Sequence, residues 1–161
     1  MNRKRAAKIF YALFPFLFVL GIFSTLALPS IINLAKKPEY NEGRNKVGAM
    51  NRAQQAYQID NKAFTDSMKN LAINIKPETK NYKYSISLGN QAVFNYAIAK
   101  QDNLKSYVGG VFRVPDTLVK NQTVTETIVC EANSPGIIKP EIPKYENGVI
   151  SCGANTKNLY K

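Results

Sequence analysis

Cys130 and Cys152 are the only cysteines of the 161-residue sequence. Of all its residues, their type and spacing point most directly to a reaction. An even cysteine count outside the cytoplasm favours oxidation to one disulfide. The alternative is a pair of free thiols. Two cysteines alone make a poor zinc site. The sequence has no histidine, so the commonest metal ligand and the usual base at neutral pH are missing. Serines and tyrosines have no imidazole to activate them, and no pair of carboxylates stands out. A lysine nucleophile is the one enzymatic chemistry left open, with no particular residue to name for it. The reading is therefore non-enzymatic, with no catalytic, cofactor-binding or metal-binding residue, no cofactor and no small-molecule substrate.

The two cysteines bracket Asn133 to Cys152, which reads as irregular: it holds Pro135-Gly136, Pro140, Pro143 and Asn147-Gly148. A disulfide closing such a loop stabilises the fold by about 3 kcal/mol. The elements before it are better patterned. Tyr82 to Leu88 alternates apolar and polar residues, as a half-buried strand does, and Gly89-Asn90 follows as a hairpin turn. Ala92 to Ala99, Tyr107 to Val114 and Thr123 to Glu131 complete four strands, the last rich in β-branched residues. Short links imply an antiparallel sheet. Gly109-Gly110 in the third strand marks a bulge or a close approach. The aromatic residues of these strands are read as packing.

Upstream of the sheet, Val47, Met50, Ala53 or Gln54, and Tyr57 recur at helical spacing. This predicts a weakly amphipathic helix over 36–61 that lies on the sheet. Arg52 and Gln55 fall on its opposite side and Asn51 on its flank. Asp60-Asn61-Lys62 is the expected end. Lys37-Pro38 either separates this helix from what precedes it or places Pro38 in its first turn.

Residues 9–35 carry no charge. The most apolar stretch, Ile9 to Leu28, is 20 residues, which as a helix spans roughly 30 Å, one bilayer core. Pro15 and Pro29 predict kinks. The formal charge is +11, and Arg3, Lys4, Arg5 and Lys8 all precede the apolar stretch. That bias predicts a cytoplasmic tail over 1–8, a transmembrane helix over 9–35 and an extracytoplasmic, β-rich domain over 62–161. The domain would lie in the periplasm or in a surface filament. The alternative is a secretory signal cleaved after Ala27. The lysines of the domain are scattered, without an arginine cluster, and read as a solvated surface rather than a nucleic-acid footprint.

Six blocks carry a further signal: Ala27 to Ser30, Val47 to Tyr57, Phe64 to Asp66, Asn81 to Ile86, Lys105 to Phe112 and Cys130 to Gly136. Together they resemble the type IV pilins and pseudopilins, more specifically the cyanobacterial group labelled general secretion G/H-type. The resemblance implies an α+β pilin-like fold: a long N-terminal membrane-spanning helix packed on a small antiparallel sheet. It also implies a structural or accessory role in a pilus or secretion pseudopilus, with other pilins, pilus-assembly proteins and the membrane as partners. The sequence departs from the family at the processing signal. Counted back from Pro29, the family's glycine falls on Ala7 and its phenylalanine on Lys8. These residues form a degenerate processing site. The family's assembly glutamate falls on Ala12, whereas Gly21 matches an internal family glycine. A carboxylate inside a membrane persists only where it is paired or functional, so its replacement bears on assembly. The alternative reading is a non-polymerising, membrane-anchored binding protein whose basic domain contacts DNA or an anionic polymer.

Overall fold

The computed structural model describes residues 37–160, with side chains from Asn41 onward. The predicted tail (1–8), the apolar run (9–35) and the Ala7-Lys8 site lie outside the described residues. Among the described residues no helix is long and apolar enough to cross a membrane.

The described chain opens with helix α1, Lys37–Asn61. Pro38 lies in the first turn of this described helix, the second of the two expected placements. The helix ends where predicted. Lys62 adopts φ 57°, and its amide donates to the Gln58 carbonyl at 2.9 Å. This left-handed turn absorbs the last carbonyls of the helix.

A five-stranded antiparallel sheet follows, in the order β1-β2-β3-β4-β7. Its strands are β1 Tyr82–Gly89, β2 Ala92–Ala99, β3 Tyr107–Pro115, β4 Thr123–Ala132 and β7 Thr156–Asn158. The first four match the predicted strands to within a residue. The β1–β2 hairpin pairs Gly89 with Ala92, so its loop is Asn90-Gln91, one residue later than expected, and Gln91 takes the positive φ.

The register assigns each side chain to a face. Tyr82, Ala99, Tyr107, Gly109 and Val129 point one way, and α1 covers them. Phe94, Tyr96, Phe112, Ile128 and Cys130 point the other way, and the C-terminal tail covers them with Ile150 and Cys152. The domain therefore has three layers: helix, sheet and tail.

Two expectations for the helix are corrected. Asn51 is not on its flank; only 2% exposed, it sits at the centre of the interface. Gln55 does not face solvent; it is half-buried, and its amide donates to the Thr125 hydroxyl at 3.0 Å. The buried positions are Gly43, Val47, Gly48, Met50, Asn51 and Gln54, which follow the helical period but include two amides. Hydropathy periodicity scores amides as solvent-facing, although a buried amide is stable once its donors and acceptors are met.

The tail, expected to be irregular, holds a second sheet. Strands β5 Lys144–Glu146 and β6 Val149–Ser151 form a hairpin. Asn147 and Gly148 take φ 53° and 79°, as a two-residue type I′ turn requires.

Gly109 and Gly110 lie in unbroken register with β2 and β4, so close approach, not a bulge, explains them. A Cβ on Gly109 would stand 2.7 Å from Val47 Cγ1 and overlap Asn51. Gly48, also on α1, has nothing nearer than 3.6 Å to its notional Cβ. The two positions give opposite expectations in chemical denaturation. Gly109→Ala should cost about 1–3 kcal/mol by pushing the helix off the sheet. Gly48→Ala should be neutral or stabilise by up to about 1 kcal/mol through helix propensity.

Candidate functional site

The two faces of the sheet are held by different chemistries. On the helix side the fixing is polar. Asn51 Nδ2 donates to the Ile128 carbonyl at 3.0 Å, and Asn95 Nδ2 donates to Asn51 Oδ1 at 2.9 Å. One helical side chain thus reaches both β2 and β4. Beside it Gln54 grips the connection to the sheet: its amide nitrogen donates to the Thr65 carbonyl at 2.6 Å, and the Thr65 amide donates back at 3.2 Å. The Thr65 hydroxyl then accepts from the Ser67 amide and from Asn70. These bonds are buried or partly so, and breaking one would leave an unpaired polar group at a cost of about 1–3 kcal/mol.

Two carboxylates gather hydrogen bonds: Glu42 ties the start of the described helix to β1 and the turn before it, and Glu131 ties β4 to β3, to the β2–β3 connection and to β7. Glu42 accepts from Lys46 at 3.0 Å, Asn81 at 2.9 Å and the Tyr84 hydroxyl at 3.2 Å. Lys46 also lies 5.0 Å from the centre of the Tyr84 ring. Glu131 accepts from Lys105 at 2.9 Å and the Tyr107 hydroxyl at 3.2 Å, with Lys157 at 3.4 Å. Partial burial pushes both carboxyls upward. Hydrogen bonds from Asn81 and Lys46, and from Lys105 and Lys157, outweigh it and hold both below their ordinary value. Burial and the neighbouring carboxylates push the Tyr84 and Tyr107 hydroxyls up, so both stay protonated as donors.

On the other face Cys130 and Cys152 are joined in a disulfide, their Cα atoms 5.8 Å apart. Cys130 is fully buried in β4. The bond fastens the end of β6 to the sheet, and Pro143 lies fully buried upstream of it. A Cβ on Gly110 would come within 2.7 Å of Pro143. Lys139 lies 4.9 Å from the centre of the Tyr96 ring. The disulfide residues are thus brought together as the sequence predicts. The Asn51–Asn95 bridge, the Glu42 and Glu131 clamps and the Pro143 contact were not among the predicted site residues. For Pro143 a signal was present in Gly110, whose missing side chain marks a close approach. No group of three or more potential ligands among histidine, cysteine, aspartate and glutamate occurs among the described residues.

Two outcomes follow. Reduction should add a pair of hydrogens to the intact mass and lower stability by about 3 kcal/mol. The clamps should make stability depend on pH. The unfolded chain binds protons at Glu42 and Glu131 near the ordinary value of 4.5, and the folded chain binds them only at lower pH. Their contribution is complete above that value and is lost as pH falls through the folded values. Unfolding titrations from pH 7 to pH 3, with Glu42→Gln and Glu131→Gln for comparison, should show a loss below about pH 4.5 that is smaller in each variant.

No curated protein and no solved structure matches the chain. A family described as type IV pilin-like G and H, putative, matches residues 41–153. That span runs from within α1 through strands β1–β4 to one residue past Cys152, leaving out only β7 of the main sheet. The chain belongs to the type IV pilin-like G and H family.

Proposed function

We propose that this chain is a structural or accessory subunit of a type IV pilus or secretion pseudopilus, held in the inner membrane by its apolar N-terminal run. In this reading residues 1–8 stay in the cytoplasm and the domain lies in the periplasm or in a surface filament. It acts by contact with other pilins and assembly proteins, not by catalysis. The observation that carries the proposal is the family match over 41–153, lying directly downstream of an uncharged run long enough to span a bilayer. Support also comes from the energetics of the domain. Asn51, Gln54 and the disulfide hold helix, sheet and tail together, as suits a subunit that acts through its contacts.

A second reading, a membrane-anchored relative that does not polymerise, is favoured by Ala7-Lys8 and Ala12 at the family's processing and assembly positions. DNA binding is less favoured, because the lysines of the domain are scattered without an arginine cluster, and Lys46, Lys100, Lys105 and Lys157 pair with carboxylates.

Fractionation of the host tests both readings. The protein should stay with membranes under alkaline carbonate and cross-link to another pilin-type protein. Recovery in sheared filaments identifies a subunit, and retention in membranes without filaments identifies the non-polymerising form. Release as a soluble protein without cross-linked partners would overturn the proposal.

A further inference from the structure

The tail does not cover its face of the sheet completely. Between the β5–β6 hairpin and the β1–β2 turn lies a cleft of about 460 Å³. Its floor is Phe94 and Phe112, whose ring centres are 5.9 Å apart in an edge-to-face arrangement. Its wall is Pro143 and Tyr145; the Tyr145 ring lies 6.4 Å from Phe112 and is 37% exposed. Asn90, Gln91, Lys144 and Glu146 stand around the opening.

The cleft is built, not incidental. Gly110 lets Pro143 down onto the sheet, and the Asn147-Gly148 turn fixes the hairpin that carries Tyr145. The Arg113 amide donates to the Gln91 carbonyl at 2.8 Å, while its guanidinium donates to the Lys62 carbonyl at 2.7 Å. The rim is therefore tied to β3 and to the end of α1.

The lining defines a ligand class. An aromatic wall offers a flat apolar surface, and a tyrosine presents it at little conformational cost. The rim supplies two amides, the Lys144 ammonium and the Glu146 carboxylate, beside Arg113, whose guanidinium is engaged with the Lys62 carbonyl, so donors and acceptors are both present. A purely apolar ligand would make no use of these groups, and a polyanion would meet Glu146 as well as the two cations. A pyranose ring satisfies both parts at once, with C–H bonds on its faces and hydroxyls around its edge. We propose that this cleft binds a saccharide unit, with Tyr145 as the stacking platform and Asn90, Gln91, Lys144 and Glu146 as hydroxyl partners. Volumes of this order are those of ligand pockets with an aromatic lining and a few placed polar groups.

The test uses the full chain in a sugar-free zwitterionic detergent, with maltotriose, cellotriose and chitotriose as probes. Saturation-transfer NMR and calorimetry read the binding. At least one probe should bind with a Kd on the order of 1 mM or tighter. Tyr145→Ala and, as a variant on the exposed turn, Asn90→Ala should each weaken binding, Tyr145→Ala by at least about tenfold. Tyr160→Ala, at a tyrosine outside the cleft, should leave it unchanged, and melting curves should show all three variants folded. Absence of binding for all three sugars overturns the proposal. So does affinity that survives in both cleft variants, or that falls equally in Tyr160→Ala.

Discussion

The sheet is thin at one point, and the domain is arranged around it. Gly109 and Gly110 are consecutive in β3, so their missing side chains face opposite layers. Below one, Asn51 of α1 comes close enough to hydrogen-bond the backbone of β4 and the side chain of Asn95. Above the other, Pro143 is fully buried against the sheet. Proline suits that place because it brings no amide donor to leave unsatisfied. A side chain at either glycine would lift one layer away. The buried amides of one layer and the tail of the other would then lose their seats.

The remaining contacts secure what the glycines permit. Glu42 gathers Lys46, Asn81 and Tyr84 at the start of the described helix, and Glu131 gathers Lys105 and Tyr107 across the sheet and its connections. Gln54 holds the connection to β1. The disulfide limits how far the tail can leave the sheet when it opens. A domain of this size has a modest core. Here polar bonds of defined geometry fix the positions of layers that apolar contact alone would hold less specifically.

Much of this was legible in the sequence, and the parts that were not share physical causes. The four long strands announced themselves by alternation and β-branched content, and α1 by its helical spacing. Asn51 and Gln55 were misplaced because a period built on hydropathy cannot see an amide buried by its own hydrogen bonds. The β5–β6 hairpin was hidden because its strands are only three residues each and lie among prolines, although Asn147-Gly148 is a strong turn signal. Strand β7, Thr-Lys-Asn, carries no apolar residue at all and is a strand only because the edge of β4 is there to receive it. The disulfide was readable from count and compartment; the face it would fasten was not.

The family match and the apolar run meet in one claim, that this domain is carried on a membrane stem. The most direct measurement is the N-terminal mass of the protein purified from membranes of its own host. The account predicts a chain that retains the Ile9 to Leu28 run. An unmodified start means a permanently anchored form, and a start at Lys8 means that the degenerate Ala7-Lys8 site is still processed. A start at Leu28 would contradict the account, because the domain would then have no stem.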